Sequence, residues 1–283
     1  MWGQIEAAMM QWTPVVFRLN CRVARKIGAF GLAAAVILAP AAAVAESWGT
    51  LRGRFVYDGE PPATKRANVD KDMDICGKNP LLVEDLLVDS SGGVANIGIW
   101  VDEKKNKDVQ EHPSYAESAD AVITLDNKNC RFEPYLGVVR VGQTLRLHNA
   151  DPVTHNVNGG SFRKNTPFND NLPPKASVDK VFKGEERLGV PLSCGSHGWM
   201  KSWLLVKKTP YVAVSEPDGT FEIQNLPAGK EIVFRVWHAP SGYILKPKVE
   251  GKAENWKSGR FKVAIEEGEN DLGEIVISPD DLK

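Results

Sequence analysis

The sequence predicts an all-β chain built as two β-sandwiches, a larger one followed by a smaller one. Two observations carry this. Short runs of strand-forming residues recur between Gly and Pro turn signals, and nothing after residue 45 has the length and 3.6-residue periodicity of a long amphipathic helix. Many short strands joined by tight turns are the pattern of sandwich architecture.

Taken in order, "GTLRGRFVY" is a strand that stops at Asp58-Gly59 and Pro61-Pro62, and "VANIGIWV" is a second that follows Gly92-Gly93. "LGVVRVGQTLRLHN" is two strands split at Gly142-Gln143 by a hairpin or a bend, and "SWLLVKK" ends at Pro210. The stretches 60–80 and 158–178, rich in Pro, Asn, Asp and Lys, read as loops; 103–118 has room for a helix. A boundary near Thr209-Pro210 divides the chain into a domain over 46–209 and a second over 210–283. In the second, "YVAVSEPDGTFEIQNLPAGKEIVFRVWH" reads as strand, Asp-Gly turn, strand, Pro-Ala-Gly turn, strand. "GRFKVAIEEGENDLGEIVIS" adds two more strands, and the charged segment 246–259 between them reads as an exposed loop.

Residues 1–45 have the form of a signal peptide. Arg18, Arg22, Arg25 and Lys26 precede the apolar stretch "IGAFGLAAAVILAPAAA", and Ala43-Val44-Ala45 supplies small residues for cleavage before Glu46. The apolar stretch is short for a membrane span and Pro40 interrupts it, so no stable membrane insertion is expected after leader cleavage. The leader is long, and translation starting at Met9 or Met10 would shorten it. The expected destination is the periplasm, the cell surface or the medium. The 35 basic and 36 acidic residues nearly cancel and form no basic stripe, which argues against a nucleic-acid partner.

Export makes the cysteines informative. Cys21 leaves with the leader, and Cys76, Cys130 and Cys194 enter an oxidising compartment. Cys194 belongs to "VPLSCGSHGWMKSW", where Cys194, His197 and Met200 are spaced Cys-x2-His-x2-Met, and His155 lies upstream in "NADPVTHNV". A thiolate, two imidazoles and a thioether form the ligand set of a mononuclear type 1 (blue) copper site. From the composition, the loop spacing arises by chance roughly once in a thousand such chains. With Cys194 committed to a metal, Cys76 and Cys130 are left either to pair or to stand separately.

The loop and the segment "RLHNADPVTHNV" resemble the copper-binding segments of the cupredoxin (plastocyanin/azurin) family, a Greek-key β-sandwich; the short loop is most similar to amicyanin and pseudoazurin. The resemblance covers about residues 135–207 well and 48–134 only in general β character. It implies one type 1 copper ion held by His155, Cys194, His197 and Met200, with Met200 as a weak axial ligand. It implies that Asn156 donates its backbone N–H to the thiolate and that Asn149 holds the site loops together. It also implies an electron carrier rather than an enzyme, docking a redox partner protein at the exposed edge of His197 among Gly195, Ser196, Gly198 and Trp199. Gly198 stands where the family often has Pro, which leaves the loop less constrained. The alternatives are a copper-holding or surface-interaction protein on the same scaffold, or a copper enzyme. The latter needs a second centre built from further histidines, and the chain has five His and no His-x-His pair. His148, His112 and His238 lack clustered partners and read as structural or exposed. Trp199 is expected beside the metal or a partner, Trp203 in the core. The "DGTFEIQNLPAGKEIVFRVW" pattern resembles carboxypeptidase-regulatory-like or transthyretin-like sandwiches, which indicates a fold and no activity.

Overall fold

The computed structural model describes residues 47–283; the proposed leader lies outside the described residues. The described chain is almost entirely β, in four sheets with only single turns of 3-10 helix. Among the described residues no helix is long and apolar enough to cross a membrane.

One sandwich is formed by residues 122–207. Its five-stranded sheet has the order Leu136–Arg140, Lys201–Lys207, Val190–Ser193, His155–Gly159, Phe168–Leu172, and its four-stranded sheet the order Arg131–Glu133, Val122–Lys128, Thr144–Asn149, Ser177–Val181. Alternate residues face inward, as the two-residue period of a strand requires. Leu145, Leu147, Val157, Leu192, Leu204 and Val206 are buried in the shared core. Gly142, at φ +100°, is where the chain leaves the first sheet for the second, so the break in "LGVVRVGQTLRLHN" is a crossover bend. Phe168–Leu172 lies within a stretch that reads as loop. Its sequence Phe-Asn-Asp-Asn-Leu has little strand propensity, but it is an edge strand paired on one side only, with His155–Gly159.

The second sandwich holds a different surprise. Trp48–Tyr57 and Ile97–Val101, expected in the first domain, pair instead with strands beyond Pro210. Trp48–Tyr57 runs antiparallel to Thr220–Pro227 and parallel to Gly268–Ile277. Ile97–Val101 lies between Val212–Val214 and Lys230–His238. The expected boundary at 209/210 therefore does not coincide with a change of sheet partners, and the 122–207 sandwich stands as an insertion between strands of the other. Reading along the chain assumes that neighbouring strands pair; pairing across more than 200 residues leaves no local mark. Residues 103–118 contain turns and the short 3-10 helix Pro113–Ala116 rather than a long helix, and 246–259 holds two short strands and the buried Trp256.

Ile97–Val101 is buried on both faces. Ile97, Ile99 and Val101 enter the core of the second sandwich, while Trp100 joins Leu136, Leu205, Trp237 and Ala239 in a separate cluster between the sandwiches. Trp203 meets Trp237 there edge-on at 5.4 Å, in the packing role expected of it. Close approach depends on Gly189, where a Cβ would stand 2.4 Å from the Trp237 ring. Gly189→Ala is expected to destabilise the chain by about 1–3 kcal/mol, the usual cost of overpacking; an unchanged thermal midpoint would show that the seam yields freely.

Candidate metal centre

Three chain segments meet at one end of the 122–207 sandwich. His155 opens the strand His155–Gly159. Cys194 follows Val190–Ser193, and Met200 immediately precedes Lys201–Lys207. Pairing of Ser193 with both Asn158 and Lys201 sets the loop beside the first histidine. The loop is closed on itself by two backbone bonds, Cys194 N–H to Met200 O (3.2 Å) and Met200 N–H to His197 O (2.9 Å).

The Nδ1 atoms of His155 and His197 are 3.0 Å apart, and Cys194 Sγ is 3.6 Å from His197 Nδ1. One ligand atom from each of His155, Cys194 and His197 lies within 4.8 Å of the others. All three side chains are buried, and Met200, also buried, packs in the same core cluster as Cys194. Asn156 and Asn149 hydrogen-bond the segments around this group. Asn156 donates its backbone N–H to the Cys194 sulfur (3.5 Å), and its side-chain oxygen accepts from Gly195 N–H (2.8 Å). Asn149 donates to the carbonyls of Val153 and Leu172, each at 2.8 Å, and accepts from Asp151 N–H.

Two carboxylates complete the site, and neither is apparent as a site residue in the sequence. Asp151 Oδ2 is 2.9 Å from His155 Nε2, and Asp72 Oδ2 is 2.7 Å from His197 Nε2. A carboxylate can only accept, so the Nε2 atoms carry hydrogen and the Nδ1 lone pairs point at each other and at the sulfur. Such lone pairs can converge only around a cation or a shared proton. A soft thiolate with two imidazoles and a thioether suits copper, and these residues fit it.

Without metal the proton takes that place. Burial disfavours the charged His155 ring, but its bond to Asp151 and the neighbouring Cys194 sulfur outweigh this and raise it to about 9. Burial likewise raises the Cys194 thiol, yet His155, the Asn156 N–H and His197 together pull it down to about 6. Asp151 is buried too, and its bonds from His155 and from the Asn129 and Cys130 amides hold it below the ordinary carboxylate value. Between about pH 6 and 9 the metal-free site therefore holds a thiolate beside an imidazolium. A metal ion bound here in that window would take the place of the His155 proton. Its affinity is expected to rise by about tenfold per pH unit there, with one proton released per ion; a pH-independent affinity in competition titrations would contradict this.

Asp72 reaches the site because of a disulfide. Cys76 and Cys130 are bonded, with a Cα–Cα distance of 5.4 Å. Asp72 begins the single turn that leads into Cys76, accepting from Ile75 and Cys76 N–H. Cys130 gives its N–H to Asp151 and takes the indole N–H of Trp199 on its carbonyl at 3.0 Å. One bridge thus anchors both carboxylates and the aromatic ring, which stands edge-on to His197 at 5.1 Å. The consequence for access is direct. His197 has no exposed surface, so the exposed imidazole edge expected for partner docking is absent: Asp72 covers it.

The remaining histidines stay apart from the site. His148 is half-exposed and bonds Asp126. His112 caps the 3-10 helix Pro113–Ala116 through Ser114 N–H. His238 is buried against Ser241, and burial pushes it down to about 4.

No protein-family model and no curated protein matches the chain. Solved structures align with about a third of it. A copper-containing nitrite reductase from Thermus scotoductus SA-01 aligns at 18% identity and a TM-score of 0.29, over 31% of this chain and 23% of that one. Two amicyanin variants, one in the Cu(I) form and one reduced, align at 20% and 22% identity and a TM-score of 0.28, over 32% of this chain and 88% of theirs. The chain spans less than a quarter of the nitrite reductase.

Proposed function

We propose that the chain is an exported mononuclear type 1 copper protein that transfers electrons. The observation that carries the reading is the convergence of His155 Nδ1, His197 Nδ1 and Cys194 Sγ with both outer imidazole nitrogens engaged by carboxylates. Bound copper supplies a one-electron couple between Cu(I) and Cu(II). Cys194 offers a thiolate held by the Asn156 amide, and His155 and His197 are fixed in tautomer and ring angle by Asp151 and Asp72. Burial of all four ligands excludes water and limits rearrangement between oxidation states. Titration with Cu(II) is expected to saturate at one equivalent and to yield a reversible one-electron wave. A copper adduct that cannot be reduced reversibly would contradict electron transfer.

Met200→Leu, nearly volume-conserving and therefore tolerated by the fold, is expected to leave copper bound and shift the potential upward. An unchanged potential would show that the Met200 thioether does not act on the metal.

One observation favours a second reading, in which the protein holds or delivers copper. The His197 edge is sealed by Asp72 rather than presented to a partner. Slow electron exchange with small redox dyes, combined with ready copper release to a chelator, would favour it. The redox partner in the first reading is an unidentified protein, and the accessory sandwich has no assigned role in either.

A further inference from the structure

At the end of the 122–207 sandwich remote from the metal ligands lies a cleft of about 510 Å³, open along the seam with the second sandwich. This is within the range of small-ligand sites. Its walls carry Lys104, Arg163, Lys164, Lys183, Arg187 and Lys208. All six are exposed, and among the described residues none forms an ion pair, although the chain as a whole is nearly neutral at −1.

The carboxylates in the same walls are already engaged. Asp102 pairs with Arg235 and Arg260. Glu185 faces the buried ammonium of Lys207 at 3.5 Å. Glu186, buried, accepts from the backbone N–H groups of Arg163 (3.1 Å) and Lys164 (2.8 Å) and from Asn165 Nδ2 (3.0 Å). Half-buried Glu103, next in sequence to Asp102 and Lys104, is raised by burial and by Glu185 and lowered by Lys208.

The cations stand on a rigid frame. Asn165 Oδ1 accepts from Lys183 N–H (2.8 Å) and Gly184 N–H (3.0 Å), tying the two cation-bearing loops together. Lys207 Nζ donates to Glu186 O (2.7 Å) and Arg187 O (3.3 Å) while standing 4.2 Å from the Trp100 ring centre. The backbones of Arg163, Lys164, Lys183 and Arg187 are thus fixed by Glu186, Asn165 and Lys207, while their charged ends form no ion pair among the described residues. Crowding like charges costs stability, and a concave wall focuses their field on the cleft. A fixed ring of unpaired donors is complementary to an anion with several charged oxygens, which guanidinium groups bind in bidentate fashion.

We propose that this cleft binds a small anion carrying two or more phosphate or carboxylate groups. The site is independent of the metal ligands and of the electron-transfer reading. Arg163, Lys164 and Lys183 also line an adjoining cavity of about 500 Å³ beside Phe168, which gives a longer anion room to extend.

The test is calorimetric titration of the full chain with tripolyphosphate and, separately, citrate, with monophosphate for comparison. The proposal expects one site per chain for at least one of the two polyanions, binding tighter than monophosphate. The choice between tripolyphosphate and citrate identifies the chemistry. Lys183→Glu combined with Arg187→Glu changes two exposed side chains whose backbones alone serve the frame, and is expected to weaken binding at least tenfold. Lys252→Glu with Lys257→Glu, the same charge change on exposed residues elsewhere in the second sandwich, is expected to leave it within twofold. If the first pair impairs folding, Lys104→Ser with Lys208→Ser removes charge from the cleft without reversal and is expected to weaken binding about tenfold. No saturable binding, or equal weakening by cleft and distant pairs, overturns the proposal.

Discussion

Cys194→Ser is expected to abolish the intense visible band of the copper-loaded chain and to leave at most a weakly coloured, weakly bound ion. The band arises from charge transfer between a thiolate and Cu(II), and among the described residues Cys194 is the one cysteine outside the disulfide. Its sulfur lies with His155 and His197 in one donor group and is held in its anionic form by the Asn156 amide and the two histidines. Serine keeps the size of the side chain but stays protonated, because a hydroxyl is far less acidic than a thiol. The remaining imidazoles still offer two nitrogens, so the expected loss of affinity is at least about a hundredfold rather than complete. Persistence of the band at full intensity would show that the colour comes from elsewhere.

The second large effect concerns the Cys76–Cys130 bridge. It spans 54 residues, and closing a loop of that length restricts the unfolded chain by about 4 kcal/mol. The double substitution Cys76→Ser, Cys130→Ser is therefore expected to lower the thermal midpoint by roughly 8–16 °C for a domain of this size. The bridge also fixes the Asp72 turn over His197, the Asp151 amide contacts and the Trp199 indole bond. Without it the cover over His197 has lost its anchor, and small anions that displace copper ligands gain access to the ring. The checks are calorimetry and the rate at which azide or cyanide bleaches the copper chromophore, expected to rise at least tenfold. A double variant with wild-type midpoint and wild-type bleaching would remove both roles.

How much of this was readable in the sequence depends on distance along the chain. The grouping of His155, Cys194 and His197, with Met200 in the core cluster of Cys194, was legible because the loop puts three of these residues within seven and the fourth at a recognisable strand end. Asn149 and Asn156 came with the resemblance. The Cys76–Cys130 pairing was one of two outcomes left by an odd cysteine count in a chain expected to be exported. Asp151 could have been found, since it stands four residues before His155. Asp72 could not, because it is 125 residues from His197 and is delivered by the disulfide. The all-β class followed from turn signals and strand-type runs. The exchange of Trp48–Tyr57 and Ile97–Val101 into the second sandwich left no trace, because a strand's own residues report which face is buried and not which partner it pairs with.

The burial of His197 also changes what an electron route requires. An exposed imidazole edge offers a partner direct approach, whereas here the carboxylate and the 72–78 turn intervene. If electrons are exchanged, the donor or acceptor must reach the site across this cover or beside the half-buried Trp199 ring.

The central claim is that one sulfur and two imidazoles bind the same ion. X-ray absorption at the copper edge of the chain loaded with one equivalent of Cu(II) tests it most directly. The account predicts a short copper–sulfur shell from one thiolate together with scattering from two histidine rings. A shell of nitrogen and oxygen alone, without a short sulfur distance, would contradict it.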